Sequence, residues 1–385
     1  MGSPYPYTEE ALVGLKIVGG LLLIISLAAF AAAMIYQAPK RRLYYLVTGM
    51  VVGMISMALL ASCGSSKPPS PTPVLTPVTQ ETRAVTPVSP LTSPLSTPTA
   101  TPGGKESVFP LKGRIAYHSD RAGNFDIWVI DLATGENHPL TTNKARDIEP
   151  DWSPDGTRLV FSTGRDDPEN LQLYVMRADG SDQHPLLKDT RPYDNWSPAW
   201  SPDGTRIAFQ TNRDVRVQGF DLYVVNADGT GERPLVVGPG NQYHVDWSPD
   251  GRHIVYVDDR DGDGEIYVAD ADGRHPKKLT DNFAAEKYPH WSPDGRWILF
   301  QSNREGLWRL YIMRPDGSEV ERISVPLLAN DEMGAWSPDG RYIVFTSDRA
   351  QRDWELYVMP LHEEAWQRLT FNFPQIKDRH PVWTK

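Results

Sequence analysis

Trp-Ser-Pro-Asp-Gly stands five times in this chain, beginning at Trp152, Trp200, Trp247, Trp291 and Trp336, and Pro381-Val382-Trp383 restates its approach near the last residue. Successive tryptophans are 48, 47, 44, 45 and 47 residues apart. A repeat of that length matches one four-stranded propeller blade, which cannot bury its apolar faces alone and must stack on its neighbours. The spacing therefore constrains residues 109–385 to one repeat body rather than several unrelated domains.

Within a repeat, turn chemistry marks off four strands. In the copy at Trp291, Pro289–Ser292 reads as a short first strand and Pro293-Asp294-Gly295 as a turn, with proline fixing one φ and glycine supplying a positive one. Trp297–Gln301 is β-prone, Ser302–Gly306 is polar, Arg309–Met313 centres on Tyr311, and a shorter fourth strand falls near Val320–Ser324. The second strands carry apolar trios such as Ile207-Ala208-Phe209 and Ile343-Val344-Phe345, and the third strands an aromatic from Trp128 to Tyr357. At this regularity both sets, like the motif tryptophans, read as core. An arginine also follows every second strand, at 121, 165, 213, 260, 304 and 349, where its several donors suit a scaffolding bond.

The first repeat opens at Gly113-Arg114-Ile115, already second-strand sequence. His380-Pro381-Val382-Trp383 supplies the missing strand, so the expected fold is all-β, a six-bladed β-propeller whose C-terminal strand closes the first blade. The order Pro-x-Trp-Ser-Pro-Asp-Gly, apolar strand, Ser-x-Arg, Ile/Leu-Tyr-Val and Ala-Asp-Gly resembles the TolB-type β-propeller repeat over residues 113–384. That resemblance implies a scaffold of the periplasm or cell surface that binds a protein or other ligand at a channel face. It does not extend to the separate α/β domain of TolB, so Tol-Pal partner interactions do not carry over.

Upstream the chain changes character. Residues 11–36 and 43–62 are apolar, Lys40, Arg41 and Arg42 lie between them, and the second run ends in Leu60-Ala61-Ser62-Cys63. This resembles a bacterial lipobox, which implies cleavage before Cys63 and its lipidation; a retained pair of membrane helices is the alternative. The basic cluster places the chain beyond Cys63 outside the cytoplasmic membrane under the positive-inside rule. Residues 64–108 hold ten prolines and few large apolar side chains, the composition of a disordered, extended linker. Residues 1–63 are thus read as a membrane-targeting region and 64–108 as a stalk.

Charge narrows the partners. The repeat region carries 46 acids against 33 bases, which argues against nucleic acid and anionic lipid. The expected partner is an envelope protein, peptide or glycan, met by a monomeric propeller. The segments leading into each first strand vary while the frame repeats, and in a ring they converge on one face. They hold Arg146, Asp147 and Glu149; Tyr193, Asp194 and Asn195; Tyr243 and His244; Glu286, Lys287 and Tyr288; Asp331 and Glu332; and Asp378, Arg379 and His380. Polar groups mixed with tyrosines suit recognition, and solvated loops are the plain alternative.

Two further chemistries are open. Asp259, Asp261, Asp263 and Glu265 alternate like the start of a calcium loop, against an ordinary acidic hairpin, since Glu265 must enter a strand. Glu149, His244 and His380 all stand three residues before a motif tryptophan, which a metal-dependent lyase or hydrolase could use as a channel site. No Gly-x-Ser-x-Gly elbow occurs, so a propeller-capped serine hydrolase is not indicated. No cofactor is required by the sequence and no catalytic residue is assigned.

Overall fold

A computed structural model describes residues 105–106, 108–188, 193–214, 219–324, 328–350, 353–372 and 375–384. Cys63, the two apolar segments and most of the linker lie outside these residues. Among them every regular element is a strand, so no helix is present that is long and apolar enough to cross a membrane.

Six antiparallel sheets follow one another around a channel. Four strands run outward in sequence order in blades two to six, beginning at the innermost strands Asp147–Trp152, Asn195–Trp200, Gln242–Trp247, Glu286–Trp291 and Asp331–Trp336. Blade one takes its innermost strand from the other end of the chain: Asp378–Thr384 pairs with Arg114–Ser119, setting Trp383 against Ile115. Closure of the ring by the C-terminal strand is as the missing first strand predicts. It removes the edge that Arg114–Ser119 would otherwise expose.

Burial follows the stacking. Each of the six apolar clusters joins two neighbouring blades, the last uniting Ile115 and Tyr117 of blade one with Ala335, Val344 and Leu356 of blade six. The second-strand trios are fully buried. Motif tryptophans insert against the preceding blade: the Trp152, Trp247 and Trp336 indoles donate to the carbonyls of Val382, Ala199 and His290. The turn after each is self-sufficient. In the first copy the Ser153 hydroxyl donates to Asp155 at 2.6 Å while Asp155 accepts the Thr157 amide, and Gly156 takes φ 66°. Turns also touch around the ring, where Gly204 leaves room for the Pro154 ring of the preceding blade.

Two boundaries depart from the sequence reading. The innermost strands begin three residues earlier than expected, at Glu286 rather than Pro289 in the fifth blade, so the variable segments are strand, not loop. The linker also ends sooner than residue 108: Lys105–Glu106 pairs in parallel with Ala365–Arg368, adding a fifth strand to blade six. The outer edge of that blade has unpaired backbone groups, and an extended chain alongside satisfies them whatever its side chains.

Candidate functional site

Five residues before each motif tryptophan stands a polar side chain that is essentially inaccessible: Asp147, Asn195, Gln242, Glu286, Asp331 and Asp378. This is the anchor position, and it meets the recurring arginine of its own blade. Arg165 reaches Asp147 at 2.9 Å, Arg304 reaches Glu286 at 3.1 Å, Arg349 reaches Asp331 at 2.6 Å, Arg121 reaches Asp378 at 2.7 Å, and Arg213 donates to Asn195. The same guanidinium lies over the third-strand aromatic, 4.7 Å from the Tyr174 centroid in blade two. Blade four departs coherently: Gln242 is neutral, and Arg260 pairs instead with Asp258 at the end of its second strand. The anchors are therefore frame, which corrects the expectation that Asp147, Asn195, Glu286, Asp331 and Asp378 face a ligand; a buried carboxylate needs a cation, and the arginine supplies it.

Three residues before the tryptophan lies the ring position: Glu149, Ser197, His244, Tyr288, Met333 and His380. All six have φ between 50° and 54°, left-handed backbone on residues other than glycine. Each sits at a register shift where the innermost strand bulges against the second strand. Such backbone costs of order 1–2 kcal/mol per residue and persists only where its surroundings hold it. Here alternate blade junctions do so: the amides of Glu149, His244 and Met333 donate to His118, Gln210 and Gln301 of the preceding blade. The bulge brings Ser197, His244, Tyr288 and His380 to one cavity, as bulges beside functional sites re-aim side chains.

The ring position gathers aromatic and titratable groups. The His244 ring stacks on Tyr288 with centroids 3.7 Å apart, and Tyr288 stands edge-on to His380 at 5.3 Å. Burial holds His244 well below the usual imidazole range, and burial with the charge of His290 lowers His380 to about 3, so both are neutral. Burial pushes the Glu149 carboxyl up to about 7 against the amide of Ser197. Glu149 Oε2, His244 Nδ1 and His380 Nδ1 are buried and meet no hydrogen-bond partner within the protein.

One residue before the tryptophan is the wall position: Asp151, Ala199, Asp246, His290, Ala335 and Val382. All six, with Ser197, His244, Tyr288 and His380, line a cavity of ≈ 270 Å³ that reaches the turn prolines Pro154, Pro293 and Pro338. This funnel is lined from the ring residues to the repeated turns. Asp151, Asp246, His290 and Ser197 escaped the sequence reading. A signal was available: Asp151, Asp246 and His290 stand one residue before a motif tryptophan, on the same cavity as the ring position, and Ser197 stands at the ring position itself.

The remaining candidates separate. Tyr193 is buried under the Arg213 guanidinium, and Asp194 accepts the Leu171 amide, so both brace the frame. Arg146 is exposed. Tyr243, Lys287, Glu332 and Arg379 are half-buried outside the funnel lining, with Tyr243 edge-on to His244, Lys287 over Trp308 and Arg379 over Trp354. Glu332 is raised to about 7 by burial, against Arg379.

Among the described residues no three His, Cys, Asp or Glu side chains converge in a geometry that could hold a metal ion. Glu149, His244 and His380 share a position in sequence, on blades two, four and one, yet only His244 and His380 line the cavity. The calcium-loop carboxylates also turn to separate partners: Asp259 accepts from the Asn241 amide, Asp261 from Lys278 and Glu265 from the Asn282 amide.

Comparison with known proteins agrees with this architecture. The TolB beta propeller domain family matches residues 186–268 and 247–332. An uncharacterized protein of Agrobacterium fabrum is 34% identical over 143 residues, 34% of this chain and 47% of its own length. The Tol-Pal system protein TolB of Bordetella pertussis is 35% identical over 162 residues, 40% of this chain and 34% of that protein. The chain thus spans under half the length of these relatives. In solved structures, TolB from Acinetobacter baumannii superimposes with TM-score 0.60 at 18% identity over 70% of this chain and 66% of its own. A putative TolB from Agrobacterium tumefaciens gives 0.56 at 24% identity over 67% and 89%. At such identities the structural likeness concerns the fold. Residues 186–332 thus match the TolB beta propeller domain, and the described repeats fold as a six-bladed β-propeller like those of TolB.

Proposed function

We propose that the protein is a non-catalytic recognition propeller of the bacterial envelope, tethered on the outer side of the cytoplasmic membrane through its N-terminal segments or a lipidated Cys63. Its channel receives an envelope protein, peptide or glycan. The basic cluster before residue 43, the lipobox-like Leu60–Cys63 and the proline-rich stretch support the tether. One observation carries the recognition role: six non-glycine residues of five different types hold left-handed backbone at the equivalent position of each blade, and Glu149, His244 and His380 have buried polar atoms without protein partners. The frame bears a cost at all six blades, and the positions that bear it are those whose side chains differ. Strain with unspent hydrogen-bonding capacity marks a site prepared for something that is not the protein itself.

Affinity capture tests this reading. The full chain, solubilised from native membranes after reversible crosslinking, is expected to bring down a defined envelope component. The combined His244→Ala and Tyr288→Ala variant is expected to lose it while keeping its thermal transition. Undiminished capture by a folded variant would remove these residues from the site.

A further inference from the structure

We infer that the junction between blades one and two is an acid-opened latch on the funnel wall: protonation of the His118 imidazole releases the bulge at Glu149 and, with it, residues 150–154. Such a latch works on the ring itself and is independent of what the funnel receives.

Three of the six bulges are held by a hydrogen bond from the ring-position amide to a side chain of the preceding blade. The three acceptors stand at one equivalent place, directly after the apolar trio of a second strand. Gln210 and Gln301 accept through an amide oxygen, which does not titrate. At the junction of blades one and two the acceptor is His118 Nδ1, 3.2 Å from the Glu149 nitrogen. The remaining second strands carry Ser162, Val257 and Thr346 there, and the Ser162 and Thr346 hydroxyls are buried without protein partners. A neutral imidazole accepts through one nitrogen and carries its proton on the other, so the bond to Glu149 places the proton on Nε2. An imidazolium carries both protons, and the one on Nδ1 would meet the Glu149 N–H head-on. Protonation of His118 and closure of the bulge therefore exclude each other. Glu149 has φ 52°, a backbone that persists only while its surroundings hold it, and the five residues after it line the funnel. Losing this bond frees one section of the wall.

The groups around His118 keep it neutral while the latch is shut. Its ring is buried, and on the C-terminal strand paired with it the His380 ring stacks at 6.2 Å beside Arg379. Ile127 lies opposite on the third strand, and the Phe125 ring stands edge-on at 5.1 Å. From blade two comes Glu149, whose carboxyl takes the Ser197 amide, while Asp151 takes the Trp200 amide. The other acids of the packed strands are engaged elsewhere: Asp147 with Arg165, Asp126 with Thr141 and Asp378 with Arg121. Burial, then the charges of His380 and Arg379, hold His118 well below the usual imidazole range. Neutral in the shut state and free to charge once open, it favours opening increasingly as pH falls below about 6.5. Glu149 acts in the opposite sense, since burial raises its carboxyl to about 7 and the shut state keeps that proton. Only a change at His118 itself separates the two.

Hydrogen exchange of the full chain in detergent, read on peptides from about pH 7.5 to about pH 5 and corrected for the intrinsic exchange rate, tests the latch. The opening constant of Asp147–Trp152 is expected to rise by up to about tenfold per pH unit below about pH 6.5, the slope of one proton taken up on opening. His118→Gln, which installs the acceptor used at the other two held junctions, is expected to flatten that rise and leave the strand closed. Asp331–Trp336, whose bulge is held by Gln301, serves as the reference and is expected to show no such rise in either chain. A flat profile for Asp147–Trp152 in the unsubstituted chain, an equal rise at Asp331–Trp336, or a rise that survives in folded His118→Gln overturns the proposal. If that variant does not fold, the contrast between the two strands of the unsubstituted chain decides it alone.

Discussion

At the scale of single residues, the molecule divides its acids into those matched by a cation and those left without one. Anchor carboxylates such as Asp331 and Asp378 meet an arginine and are structural, while Asp151 meets only backbone N–H groups. Its carboxyl, near 3.8 in an unfolded chain, is raised to about 7 in the fold by burial and by Asp246. Between those values the folded state holds a proton that the unfolded state has released, so this residue costs stability increasingly as pH rises through the window, and fully above it. Asp151→Asn should therefore raise the melting temperature most above about pH 7 and hardly at all below about pH 4. Thermal melts of both chains across that range check it; a gain independent of pH would show that the carboxyl is not perturbed. The ring histidines work in the opposite sense, since groups held neutral in the fold favour unfolding as pH falls below their ordinary range, which is why the comparison is made against the single variant.

At the scale of the element, the innermost strand does three jobs along six residues: it anchors, bulges and presents. Arg304 ties the anchor of its blade to the second strand, bonding Ser302 and Glu286 while lying 4.6 Å over Tyr311. Arg304→Ala should cost about 2–3 kcal/mol in denaturant unfolding, and adding Glu286→Gln should restore part of that by removing the stranded charge. A cost of only about 0.5 kcal/mol, that of an exposed pair, would contradict a structural role. This strand is also where the sequence was least legible. Second and third strands announce themselves by apolar trios and aromatics because both their faces are buried between blades. In Glu286-Lys287-Tyr288 the side chains answer an arginine, the Trp308 ring and the channel in turn, so no apolar alternation marks the strand and its first half looks like loop. The bulge is equally hidden, since left-handed backbone was read from glycine and the ring positions hold Glu, Ser, His, Tyr, Met and His. What the alignment of copies did expose is that Glu149, His244 and His380 are equivalent, and the three share the same left-handed backbone.

For the whole ring, repetition and variation fall on different surfaces. The Trp-Ser-Pro-Asp-Gly copies join blades, the arginines lock five of the six blades to their anchors, and Asp378–Thr384 joins the chain's last strand to its first blade. These were readable because six-fold symmetry writes the same contact repeatedly. Function falls on what breaks the symmetry, a handful of positions whose neighbours in space are about one 40–45-residue repeat or more away in sequence, and no local pattern joins His244 to Tyr288 or Asp151 to Asp246. The central claim is that recognition occurs in this channel and not on the outer strands. Photo-crosslinking from the full chain in native membranes tests it most directly, with a benzoylphenylalanine placed at Tyr288 in the channel or at His275 on the exposed turn before the outer strand of blade four. The account predicts a discrete adduct from position 288 and none from position 275; adducts from 275 with none from 288 would contradict it.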